Sequence, residues 1–123
     1  MDNIFNKYNE WTRDFMESWK NLDWKKTLEL LSKDVEYYEN PIDKPCENFD
    51  EVTKLWCIVG ENQKDIEYTF KIISFDEKIC IINWQMRRTM TSNNAKQEID
   101  GIFQISLNDK GLCTYFKQWR FTR

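Results

Sequence analysis

Few side chains in this sequence are suited to chemistry, and they are of a narrow type. The 123-residue chain contains no histidine, which removes a Ser/Cys–His nucleophile pair, a His-ligated metal and the commonest general base. Acid–base work therefore falls to Asp, Glu, Tyr or Lys. Asp100 is the most conspicuous candidate, because it directly precedes Gly101 in a segment otherwise rich in apolar residues. In a pocket such a carboxyl takes a raised pKa; on the outer face of a strand it is simply solvated, and this second reading is the better supported. Tyr38 and Asn40 share a face of the run VEYYEN and together would orient a polar ligand group. Glu36 and Glu39 are expected to be exposed strand residues. Arg87 and Arg88 are consecutive on a strand, so one points to each face and at most one serves an anionic ligand.

These candidates need elements to hold them. The last quarter, Lys96 to Phe121, reads as a long β-hairpin. Ile99, Phe103, Ile105 and Leu107 alternate on one arm and Tyr115, Trp119 and Phe121 on the other, around Asn108, Asp109 and Gly111. Gly111 supplies the positive φ of a short turn, and Gly101 marks a bulge or close packing. Upstream, Ile4, Tyr8, Trp11, Phe15, Trp19 and Leu22 recur at helical spacing and face the core. A second helix, capped by Asn21 or Asp23, carries Trp24, Thr27, Leu28 and Leu31 inward and ends near Lys33. Val35 to Asn40 is a short strand stopped by Pro41. Asn48 and Glu51 form a capping box for a third helix with a stripe of Val52, Leu55, Trp56 and Val59, which stops at Gly60. The period then becomes two: Ile66, Tyr68, Phe70 and Ile72 alternate, and Ile79 to Met90 returns past a turn at Asp76 and Glu77. Ser92 to Ala95 is the turn into the hairpin.

Composition bounds the partners. One domain, residues 1–123, has ample apolar mass at 41% hydrophobic and 15% aromatic residues. A net charge of −3 with interleaved lysines and arginines lacks the basic footprint of nucleic-acid binding. No apolar stretch is long enough to cross a bilayer and no signal peptide is apparent, so a cytoplasmic, soluble protein is expected. Cys46, Cys57, Cys80 and Cys113 include no CxxC pair, so neither a zinc site nor a redox motif is indicated. No cofactor motif is present.

Helix, helix, strand, helix and four antiparallel strands form an α+β pattern with the helices on one face of a curved sheet. The segment WKNLDWKKTLELLSKD, the VEYYENP strand exit, Leu55 with Trp56, and the GIFQI, KG and FKQW ending together resemble the nuclear transport factor 2-like superfamily, and within it the SnoaL-like domains. The resemblance spans nearly the whole chain. It implies a conical antiparallel sheet with three N-terminal helices packed on its concave face, an apolar cavity between them, and dimers through the convex sheet. It also implies a wide choice of activities, from ketosteroid isomerases, limonene epoxide hydrolases, cyclases and dehydratases to non-catalytic modules.

The catalytic sets of the two best-defined enzymes are not matched. At the position of the isomerases' base stands Asn40, at that of their oxyanion-donating tyrosine Phe15, and at that of a supporting tyrosine Trp56. The isomerases' second aspartate falls near Asp100, or at Phe103 if turn length differs. The epoxide hydrolases require an Arg and two Asp around one water, and the matching strand here holds Trp84, Gln85 and Met86 instead. Three expectations of function follow. In the first, a small, flat, largely apolar molecule binds in the cone, lined by Phe15, Trp19, Trp56, Trp84, Met86, Phe103 and Trp119 and oriented by Asn40, Tyr38 and Asp100. In the second, an isomerase, cyclase or dehydratase uses Asp100 with Tyr38. In the third, a dimeric interaction module fills its cone with its own tryptophans. A second apolar set, Ile79, Ile81, Ile102 and Tyr115 or Phe116, cannot all face the cone and predicts a homodimer through the convex face.

Overall fold

A computed structural model describes residues 2–123. Three helices, α1 (Asp2–Lys20), α2 (Trp24–Glu29) and α3 (Phe49–Asn62), cover one face of a sheet of β1 (Leu31–Tyr38), β2 (Gln63–Phe75), β3 (Cys80–Met90), β4 (Lys96–Leu107) and β5 (Cys113–Thr122). The strand order is β1-β5-β4-β3-β2.

The α1 stripe packs as its spacing predicts, with Tyr8, Trp11, Phe15, Met16 and Trp19 all buried. Trp11 donates its indole N–H to the Leu30 carbonyl at 2.9 Å, tying α1 to the end of α2. Asp23 caps α2, accepting from the Lys26 N–H at 3.3 Å. That helix stops earlier than its pattern predicts. Leu31 pairs with Cys113, and the Cys113 N–H donates to the Leu30 carbonyl, so strand pairing captures the segment expected to finish the helix.

The capping of α3 is as predicted at Asn48, whose side chain accepts from the Glu51 N–H at 3.0 Å. Glu51 reaches back one residue further than the simple box and accepts from the Glu47 N–H at 2.7 Å. Gly60 does not stop the helix, which continues to Asn62 and passes directly into β2. Its bare Cα serves a close approach instead, since a Cβ there would lie 3.3 Å from the Trp24 ring.

Strands β2 to β5 form an antiparallel meander. The sheet is nevertheless mixed, because β1 lies parallel to β5, with Tyr37 opposite Phe116 and Tyr38 opposite Lys117. A parallel partner requires a long crossover, and here the chain from α3 through β4 supplies it. Burial alternation fixes the faces: Ile82, Trp84, Met86 and Arg88 of β3, with Ile99, Gly101, Phe103 and Ile105 of β4, point at the helices. Phe116 and Gln118 of β5 and Tyr37 of β1 join them by register. Gly111 takes φ +79° in the β4–β5 turn.

Candidate functional site

The aromatic side chains expected to line the cone do converge. Phe15 touches Trp56, Phe103 and Phe116 at ring-centroid distances of 5.3, 5.6 and 5.4 Å. Trp19 lies 5.3 Å from Trp56 and 5.4 Å from Trp84, and Trp84 stacks on Phe103 at 4.8 Å. These are contact spacings for aromatic pairs, so the rings occupy the space between sheet and helices themselves. Phe15, Trp84 and Phe103 have no exposed surface, and Met86 is buried beside them. The crevice between Trp19, Trp24 and Trp56 has no room for a water molecule. Their expected role as the wall of an open cavity is thus replaced by one as the core.

Four residues expected in the cone lie elsewhere. Tyr38 pairs with Lys117 on the outer face, and its hydroxyl donates to Glu36 at 2.6 Å, which pushes its pKa up to about 12. Asn40 organises the following loop: its side-chain oxygen accepts from the Ile42 and Asp43 N–H groups, each at 2.9 Å. Asp100 is exposed on the outer face, accepting from Asn83 at 2.8 Å and Gln85 at 3.2 Å. Trp119 pairs with Ile102 on that same face, under the Lys117 ammonium. Asp100 and Tyr38 make no acid–base pair. The β4 residue in line with Tyr38, through Lys117, is Gln104, four residues away from Asp100.

The helix-facing positions of β1 and β5 hold a different set. Tyr37 is buried, and its hydroxyl accepts from the Trp56 indole N–H at 3.1 Å. Burial raises its pKa well above the usual value, with the charge of Glu39 adding to the rise. Glu39 is half-buried rather than exposed, and Arg120 lies loosely beside it at 3.9 Å. Burial raises the Glu39 carboxyl, while Arg120, Gln118 and Arg88 pull it down. Of the two consecutive arginines, Arg88 is the inward one. It is 7% exposed and donates from Nε to Gln97 at 2.9 Å. Burial lowers its pKa to about 10, and Arg120 lowers it further than Glu39 raises it.

The helix-facing side of the sheet also holds unpartnered atoms. Trp84 Nε1, Arg88 Nη1 and Gln118 Oε1 are buried without a hydrogen-bond partner among the described residues. The Trp84 indole lies across Gly101, where a Cβ would come within 2.6 Å of the ring, and Gly101 pairs with Arg120 on β5. The two donors lie on β3 and the acceptor on β5, all on the helix-facing side of the sheet. Natively folded proteins rarely leave such atoms unused. Perturbed titratable groups beside them are a mark of functional sites.

On the outer face an open groove of about 770 Å³ is bordered by Glu67, Thr69, Gln85, Arg87, Asp100 and Phe121 among others. Phe121 is 71% exposed there. Among the described residues no cluster of His, Cys, Asp or Glu is arranged to hold a metal ion, and no helix is long and apolar enough to cross a membrane.

Residues 12–116 match the family model of the SnoaL-like domain. No curated protein matches the sequence. Among solved structures, a Δ5-3-ketosteroid isomerase from Mycobacterium sp. superposes with a TM-score of 0.77 at 14% identity, covering 95% of this chain and 98% of that one. An LEH-like epoxide hydrolase from M. tuberculosis gives 0.76 at 13% identity, covering 94% of this chain and 84% of its own. A conserved protein from Planctomyces limnophilus gives 0.78 at 12% identity over the full length of both. At these identities the likeness is one of fold.

Proposed function

The chain belongs to the SnoaL-like domain family, and from that premise we propose that it binds a small molecule at the mouth of its cone. The ligand's polar group is held by Arg88, Gln118 and Trp84, and the Glu39–Arg120 contact forms the rim. One observation carries this reading: three polar atoms on the helix-facing side of the sheet are buried without protein partners among the described residues. Leaving a buried donor or acceptor unpaired costs about 1–3 kcal/mol, so a ligand that pairs with them gains binding energy from groups already desolvated. The aromatic interior serves as the floor and not as the binding space. This places the ligand nearer the surface than the apolar cavity expected from the resemblance. Native mass spectrometry of the protein purified from its own host tests it. A bound small molecule is expected in the wild type and not in Gln118→Leu; no bound mass in either counts against the reading.

A second reading, compatible with the first, is a homodimer through the outer face of the sheet. It is favoured by Ile102 and Trp119, paired across β4 and β5, with Ile81, Tyr115 and the exposed Phe121 on the same face. Burying such a surface between two copies follows the area rule for apolar contacts.

A further inference from the structure

We propose that the free edge of β2 pairs antiparallel with the same edge of a second copy of this chain, about a two-fold axis through Thr69. The contact needs neither the ligand site nor the outer-face dimer. β2 ends the sheet, with β3 as its one neighbour. An edge strand directs every second N–H and C=O away from its sheet, and such groups recruit another strand unless something covers them. The opposite edge is partly occupied, because the Cys46 N–H donates to the Tyr37 carbonyl of β1 at 2.9 Å. Among the described residues no loop or turn backbone bonds to β2 in this way. Helix α1 packs on the helix-facing side of β2, where the Tyr68 hydroxyl donates to Glu17 at 2.7 Å, and Glu67, Thr69 and Lys71 stand exposed on the other side.

The sequence of this edge is complementary to itself. The ladder with β3 is regular from Glu67 to Ile72 and shifts register on both sides, so irregularities confine a flat pairing to these residues. A two-fold axis that keeps the helices of both copies on one side of the joined sheet sets like-facing residues opposite each other, and must pass through a residue. Centred on Thr69, it places Glu67 against the partner's Lys71 and Lys71 against the partner's Glu67, both on the outer face. On the helix side Tyr68 meets the partner's Phe70, and Phe70 meets the partner's Tyr68. These two rings already stack within one chain at 6.5 Å and are only half-buried, so four rings come together across the axis. Opposite charges and aromatic pairs are favourable cross-strand partners. Centring on Phe70 would set Glu67 against Ile73, and centring on Tyr68 would set it against Thr69. Only the Thr69 register pairs opposite charges within the regular stretch. So short a pairing buries less surface than a standard interface, which makes the contact weak and places it at sub-millimolar concentration.

The test is sedimentation velocity of the full chain carrying Ile102→Glu, which disrupts the outer-face contact and leaves β2 unaltered, up to sub-millimolar concentration. The chain is expected to pass from monomer to dimer as concentration rises, and added salt should weaken that step. Adding Lys71→Glu, whose neighbour on β3 is the uncharged Asn83, sets like charges opposite each other at two symmetric sites. The association constant should then fall at least about tenfold. Glu67→Lys should do the same, and the two exchanges together reverse both pairs and should restore association to within about threefold of its starting value. Circular dichroism melts of each variant separate a lost contact from a lost fold. A chain that stays monomeric at the highest concentration overturns the proposal. So does a dimer indifferent to either single exchange, or one that the double exchange fails to restore.

Discussion

Tyr37 shows how much rests on one hydroxyl. It accepts from Trp56 inside the core, so Tyr37→Phe leaves a buried indole N–H unpaired and should cost about 1–3 kcal/mol, measured by urea denaturation. Glu39 gives a second residue-level expectation. Its carboxyl is raised above the ordinary 4.5, so between that value and the raised one the folded chain keeps a proton that the unfolded chain has released. Its contribution to stability therefore falls as pH rises through this window. Thermal melts from acidic to neutral pH should show this fall in the wild type and not in Glu39→Gln; parallel curves would contradict it. Of the inner-face set, Trp84 and Arg88 were singled out from the sequence, whereas Tyr37, Glu39, Gln118 and Arg120 were not legible as a site, and the reason is physical. On β1 and β5 the large apolar residues Tyr38, Tyr115, Trp119 and Phe121 mark one face, and the inward positions hold Tyr37, Glu39, Gln118 and Arg120. A polar cluster on the inner face inverts the hydrophobic alternation, so period-two reasoning chooses the wrong side where the site lies.

Elements without such a cluster were readable. The α1 stripe, the Asn48 cap, and the inward phase of β3 and β4 follow directly from spacing. The ends of α2 and α3 did not, because Leu31 is claimed by pairing with Cys113 and Gly60 by the approach of Trp24. Gly101 was expected to mark a bulge or close packing, and it is the packing that occurs. A methyl group there would fall 2.6 Å from a rigid indole ring. Gly101→Ala should therefore destabilise the β3–β4 pair by about 1–3 kcal/mol, the usual cost of overpacking a core. Chemical denaturation measures it, and an unchanged midpoint would show that Trp84 can move aside. Trp84→Ala removes the ring that joins Trp19 to Phe103, and should cost about 3–5 kcal/mol.

For the whole molecule, the proposed dimer through the outer sheet face gives a direct expectation. Sedimentation at micromolar concentration should show a dimer that Ile102→Glu converts to monomer, since a charge placed beside Trp119 cannot be buried cheaply. A wild-type monomer at that concentration defeats the dimer. The parallel pairing of β1 with β5 reaches further, into the order in which the chain is made. A ribosome releases the N-terminus first, so β1 emerges long before β5, the strand it pairs with. Through most of synthesis the nascent chain carries Leu31–Tyr38 unpaired, and the last strand to appear is the one that closes the fold. A chain ending before Cys113 should accordingly remain protease-sensitive throughout, including its completed N-terminal helices. Release of the final strand should bring protection to both ends of the sequence at once.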